Sequence, residues 1–106
     1  MKILNGQGKR KEDLAVIGLQ EEKLSRAISA SSRRQILKLL FYQEMTAKEI
    51  SQKTNMSKSL TSRHLTLLYD LGFLTVRKEF PYKFYSLKVK EIVALLEVYD
   101  QVIQKL

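Results

Sequence analysis

Two short helix signals follow one another across the middle of this chain, and they limit the fold more than any other feature. Thr46-Ala47-Lys48-Glu49 has the form of a capping box, in which a Thr hydroxyl accepts from the amide three residues on. The helix it opens would bury Ala47 and Ile50 and end near Thr54 and Asn55, because Met56-Ser57 starts the next one. A basic, tyrosine-containing hairpin then follows, so residues 46–88 are the stretch around which the chain is organised.

The second helix has two unlike faces. At about 100° per residue, Thr61, Leu65, Leu68 and Gly72 share one side, while Ser59, Ser62, Arg63, Thr66 and Asp70 fall on the opposite arc. Small hydroxyls near a helix N-terminus can approach phosphates and base edges closely. The N-terminal amides there favour anions, and an Arg can fork onto guanine. An ordinary amphipathic surface helix is the competing reading, and it usually carries more Glu and fewer Ser and Thr. Gly72 has the position of a left-handed C-cap. Beyond it, Phe73 to Phe80 alternates as a strand, Pro81-Tyr82 makes a turn, and Lys83 to Leu87 returns. Arg77, Lys78 and Lys83 are expected to face outward, with Tyr82 near the tip. A basic hairpin beside a reading helix can grip flanking phosphates or enter a minor groove. A solvated hairpin whose edge lysines discourage strand association would need the same residues.

Charge agrees with a polyanionic partner. The 106 residues carry a net charge of +8. Residues 46–90 hold nine basic side chains against three acidic ones, so six of the eight net charges lie on this one segment.

The flanking segments are helical by their periodicity. Residues 1–11, with Gly6, Gly8 and the run Lys9-Arg10-Lys11, have little to bury and read as a flexible basic arm, leaving 12–106 as the folded unit. Leu14, Ile17, Leu24 and Ile28 return at near-helical spacing in one or two helices, with Gly18 as a possible break. Ser32-Arg33-Arg34-Gln35 has the form of another capping box, leading into the apolar run Ile36 to Phe41. From about Val89 a last helix of roughly 27 Å carries the seam Ile92, Leu96, Tyr99, Ile103 and Leu106. Val93, Val98 and Val102 widen its apolar surface, enough to serve both the chain's own core and a second subunit.

Several chemistries lack their residues. Without cysteine there are no disulfides, thiolate metal sites or thiol redox sensors. The last helix has no His; Glu91, Glu97 and Asp100 are the hard ligands it offers, so no metal or other cofactor is expected. His64 is the single histidine, flanked by Leu60, Leu67 and Leu71; a packed or backbone-bonded imidazole is its default role, with a phosphate contact as the second. A glycine-rich phosphate loop is missing, as is a nucleophile with a base and orienting acid, so the chain is not expected to be an enzyme. The N-terminus has no signal-peptide stretch and no long apolar run follows, so a cytoplasmic location without membrane association is expected.

The string Ser57-Lys-Ser-Leu-Thr-Ser-Arg-His-Leu-Thr-Leu-Leu68, followed by Leu71-Gly72-Phe73-Leu74 and Lys83-Phe-Tyr-Ser-Leu87, resembles the ArsR-type winged helix-turn-helix regulators over residues 22–105. The resemblance implies a mostly α fold with a small β-hairpin, in which helices flank a helix-turn-helix and a two- to three-stranded wing. It implies a homodimeric repressor on double-stranded DNA. Lys58, Ser59, Ser62 and Arg63 would lie in the major groove, with Thr66 on the same arc, and Arg77, Lys78, Tyr82 and Lys83 would belong to the wing. Dimer contacts would come from the first and last helices, through Leu14, Ile17, Ile92, Leu96, Tyr99, Ile103 and Leu106. The family's metal-sensing motifs are absent here, so that activity is not carried over, and a repressor either constitutive or tuned by a small molecule of unknown identity is expected. A winged-helix module that binds protein through the same hairpin and helix is the rival reading; an exposed apolar wing face would favour it.

Overall fold

The computed structural model describes residues 11–106 of the chain. The basic run before Lys11, most of the expected arm, lies outside the described residues. Five helices and one hairpin follow in order: α1 (Lys11–Ile28), α2 (Ser31–Leu40), α3 (Ala47–Thr54), α4 (Lys58–Asp70), β1 (Leu74–Glu79), β2 (Tyr82–Leu87) and α5 (Glu91–Gln104).

Helix α1 runs unbroken through Gly18, so the periodic residues from Leu14 to Ile28 belong to one helix. Its C-terminal end joins the core through Ala27, with Leu24 and Ile28 packed alongside, whereas Leu14, Val16 and Leu19 remain exposed. Two arginines of α2 close this end by donating to carbonyls that a helix terminus leaves unpaired. Arg33 donates through Nη2 to Arg26 O at 2.7 Å and through Nε to Ala27 O at 3.3 Å, and Arg34 Nη1 donates to Ile28 O at 2.6 Å. The Ser32 capping box does not form. Helix α2 starts two residues earlier than a Ser32 cap would place it, at Ser31, behind Ala30, which makes no side-chain cap. The two arginines draw the first turn of α2 against α1, and that contact between helices sets the boundary in place of a local cap.

Helix α2 is the central strut, burying Ile36, Leu37 and Leu40 against α3, α4, α5 and β2. The capping box at Thr46 is complete: Thr46 Oγ1 accepts from Glu49 N at 3.2 Å, and Glu49 Oε1 accepts from Thr46 N at 2.9 Å. Asn55 ends α3 in the left-handed region at φ 56°, and Met56 N donates to Ser51 O at 3.1 Å across the turn.

Helix α4 ends in a Schellman motif. Phe73 N donates to Leu68 O and Gly72 N to Tyr69 O, both at 3.0 Å, and Gly72 takes φ +91°. That turn buries Phe73 and aims the chain into β1. In the antiparallel hairpin Leu74 stands opposite Leu87, Lys78 opposite Lys83 and Glu79 opposite Tyr82. Met45 adds a bridge to Tyr85, donating at 3.0 Å and accepting at 2.8 Å, so a single residue serves as the third strand. The turn consists of Phe80 and Pro81; Tyr82 is the first residue of β2 and lies behind the tip it was expected to occupy.

Helix α5 corrects the expected dimer seam. Ile92 is 3% exposed and Leu96 is fully buried, both in this chain's own core with Val93. Little of their surface is left for a second subunit. Tyr99 is half-buried beneath the Arg34 guanidinium, 4.8 Å from the ring centroid, and Lys38 bonds Asp100. A second stripe, rotated about a quarter turn from the first, carries Leu95, Val98, Val102 and, just past the helix end, Leu106; all four are exposed. Ile103 is exposed as well. A seam with alternating spacings of three and four fits either stripe, and only the position of α2 decides which one turns inward.

Candidate nucleic-acid interface

Ser57 begins the site. Its Oγ accepts from Leu60 N at 3.1 Å, and its carbonyl accepts from Thr61 N at 3.0 Å. The N–H groups of Lys58 and Ser59 are thereby left without an intrahelical acceptor at the exposed end of α4. One face of α4 is locked into the core by Leu65 and Leu68, and by Thr61, whose buried hydroxyl donates to Ser57 O at 2.8 Å. That fixes the rotation of the helix and turns Ser59, Ser62, Arg63, Thr66 and Asp70 outward, all of them exposed, as the wheel predicts. Neither Lys58 nor Arg63 has an ion-pair partner among the described residues.

The hairpin divides its predicted residues between two faces. Directly opposed residues share a face, so Val76, Tyr85, Lys78 and Lys83 stand together on the side of α4. With Thr66 and Tyr69 they line a cleft of about 210 Å³ between helix and wing. Arg77, Phe84, Glu79 and Tyr82 occupy the other face. There Arg77 is already committed: Nη2 reaches Glu44 Oε1 at 2.7 Å, Nη1 reaches Glu79 Oε2 at 2.5 Å, and the guanidinium covers the Phe84 ring at 4.5 Å. The hydrogen bond from Arg77 holds the Glu44 carboxyl below its ordinary range, and the bonds to Glu44 and then Glu79 hold the Arg77 proton more firmly. Among the described residues Lys78 and Lys83 make no such pairs. The expected wing set of Arg77, Lys78, Tyr82 and Lys83 is therefore not one surface. The two lysines face α4, while Arg77 and Tyr82 face away from it.

His64 is half-buried, and among the described residues no backbone group is bonded to it. Its Nδ1 lies 3.4 Å from Arg33 Nη1. A guanidinium can only donate, so Nδ1 accepts and the proton of a neutral imidazole sits on Nε2. Burial, then the nearby Arg33 and Arg63 charges, lower its pKa. Through Arg33 the C-terminus of α1 is linked to the middle of α4.

Sequence reasoning missed Phe80. It is 98% exposed at the tip of the hairpin, where the two-residue turn leaves its ring without support from either strand. An apolar residue directly before the single Pro of the chain is the signal that could have marked it.

A capped helix-turn-helix with a rotationally fixed polar arc, followed by a hairpin that presents lysines beside it, defines the winged helix-turn-helix class. Residues 30–76 match the bacterial regulatory protein arsR family. The chain is 35% identical to the transcriptional activator HlyU of Vibrio cholerae over 75 residues, which covers 71% of this chain and 69% of HlyU. It is 37% identical to the transcriptional repressor SdpR of Bacillus subtilis over 62 residues, covering 58% of this chain and 69% of SdpR. The homodimeric winged helix-turn-helix DNA-binding domain of Mb0332 from Mycobacterium bovis superposes with a TM-score of 0.72 at 27% identity, over 93% of this chain and 90% of that one. This chain belongs to the arsR family of bacterial regulatory proteins and is a DNA-binding transcriptional regulator. Among its described residues no helix is long and apolar enough to cross a membrane.

Proposed function

We propose that this chain is a cytoplasmic homodimeric repressor that sets two copies of α4 into successive major grooves of a two-fold symmetric operator. Lys58, Ser59, Ser62, Arg63 and Thr66 contact bases and phosphates there, and Lys78 and Lys83 hold the flanking backbone. The outward arc of α4 carries this reading: four small or basic polar side chains and two open amides, on a helix whose rotation is fixed by buried Thr61, Leu65 and Leu68.

Dimerisation through α1 and α5 is supported by apolar side chains that the monomer leaves uncovered. Leu95, Val98 and Val102 form a stripe on α5, and Leu14 and Leu19 are exposed on α1. A solvent-facing area of this kind on a small domain calls for a partner surface. The Mycobacterium bovis relative is itself homodimeric. Of the two sequence relatives, one is an activator and the other a repressor, so the direction of control depends on where the operator lies. Repression follows when the operator overlaps the promoter.

Fluorescence anisotropy of a labelled duplex, titrated at several salt concentrations, tests the DNA reading. Affinity should fall steeply with salt, with a slope near 0.9 per phosphate neutralised, and Arg63→Ala should weaken binding. A duplex left unbound by the wild type even at low salt would refute it.

A further inference from the structure

The wing carries an unusual arrangement beyond its basic charge. Lys78 and Lys83 stand directly opposite one another, one residue pair behind the Glu79–Tyr82 pair that leads into the turn. Like charges in that position destabilise a hairpin unless an anion meets them, and they have no acidic partner among the described residues. On the opposite face the guanidinium of Arg77 is neutralised by Glu44 and Glu79. Uncompensated positive charge on the hairpin is thus confined to the side that looks toward Thr66 and Tyr69 of α4. Past the lysines stands Phe80, 98% exposed and followed by Pro81.

We propose that Phe80 is an apolar wedge for the minor groove of the DNA flanking each half-site, and that it gives this regulator a preference for easily deformed steps which α4 never touches. The inference rests on the DNA-reading function proposed above. Reach supports it: Phe80 lies two residues beyond Lys78, about 7 Å at the rise of an extended strand. The minor groove is about 7.5 Å deep, so lysines resting on its phosphate walls would deliver the ring to its floor. Chemistry supports it too. A phenyl ring has no donor or acceptor with which to read base edges, so its contact must be made by partly unstacking a base step. Pyrimidine–purine steps such as TA open most readily. Burying an otherwise hydrated ring then contributes to binding, whereas among the described residues of the free protein the same ring is 98% exposed. Phe80 and the neighbouring exposed Tyr82 together still offer far less apolar area than protein docking through the wing would require.

The experiment starts from an operator duplex selected from a random-sequence pool with the wild type. Anisotropy then compares duplexes that share the half-site core and carry either a TA or a GG step at the flank, with 2-aminopurine placed in the flanking step. Wild type should prefer the TA flank about 5-fold or more, the lower end of what one base pair usually contributes to specificity, and 2-aminopurine fluorescence should rise on binding. Phe80→Ala should lose that preference and the fluorescence rise while keeping the salt slope and core discrimination, and Phe80→Leu should retain most of both. Because Phe80 is fully exposed, neither change touches the fold. Equal affinity of the wild type for both flanks, or an unchanged flank preference in Phe80→Ala, would overturn the proposal while leaving the DNA-reading function intact. Failure of every duplex to bind would overturn both.

Discussion

The Arg77 guanidinium sits 2.7 Å from the carboxylate of Glu44, a residue of the loop before α3, and so is tied to the body of the domain. This removes the most basic group of the hairpin from the pool available to DNA. Lys78→Ala and Lys83→Ala should each weaken duplex binding and lower the salt slope by about 1, whereas Arg77→Ala should change the slope less. Anisotropy at three or four salt concentrations gives all three slopes.

The same pair has a pH signature. The folded state holds Glu44 below its ordinary pKa, chiefly through the bond from Arg77, so the contribution is present above the unfolded value and lost as pH falls through the folded one. The Tm difference between wild type and Glu44→Gln should therefore be small but positive near neutrality, begin to shrink as pH falls below about 4.3, the ordinary Glu value, and vanish once the depressed folded pKa is passed. Both groups are exposed to solvent, which screens the pair and keeps the effect slight.

His64 titrates in another window. Its folded pKa is depressed, first by burial and then by Arg33 and Arg63, so the unfolded chain takes up a proton before the folded one does. Stability should fall as pH drops below about 6.5, the ordinary histidine value, and continue to fall until the depressed folded pKa is passed. Urea midpoints at several pH values should show that slope in the wild type and a flatter one in His64→Asn.

The two stripes of α5 should separate cleanly by mutation. Leu96→Ala removes a fully buried side chain and should cost about 2–5 kcal/mol of folding stability, seen as a large shift of the urea midpoint. Leu95→Glu and Val102→Glu alter positions that are 43% and 53% exposed. They should leave the midpoint of the folded chain nearly unchanged, shift sedimentation toward the monomer, and weaken operator binding without altering the DNA surface.

Two glycines should respond to alanine in opposite directions. Neither has a neighbour that an added Cβ would strike. Gly18 lies inside exposed α1, where alanine should stabilise by about 0.5–1 kcal/mol. Gly72 sits at φ +91°, a conformation that costs an L side chain about 1–2 kcal/mol, and Gly72→Ala should destabilise by that order. Thermal melts of the two single variants test both signs.

Most of the reading motif was visible in the chain because it depends on local chemistry. The Thr46–Glu49 box, the left-handed turn at Gly72 and the two faces of α4 each follow from side chains within a few residues of one another. The Ser32 box looked just as good locally and failed, because Arg33 and Arg34 found partners on α1 and the helix began two residues early. The residues 73–88 could be seen as a basic hairpin, but which cations shared a face depended on register. Turn placement at Phe80–Pro81 put Lys78 opposite Lys83 and Arg77 opposite Phe84.

By itself, then, the sequence determined the caps of α3 and α4, the polar arc of α4 and the family, since these rest on hydrogen bonds and periodicities that span a turn or two. Tertiary structure alone decided which apolar stripe of α5 turned inward, which wing cation was neutralised by Glu44, and that Phe80 stands alone at the tip. Each of those outcomes depends on the relative placement of elements distant in sequence, where several arrangements satisfy the same local pattern and packing around α2 selects one.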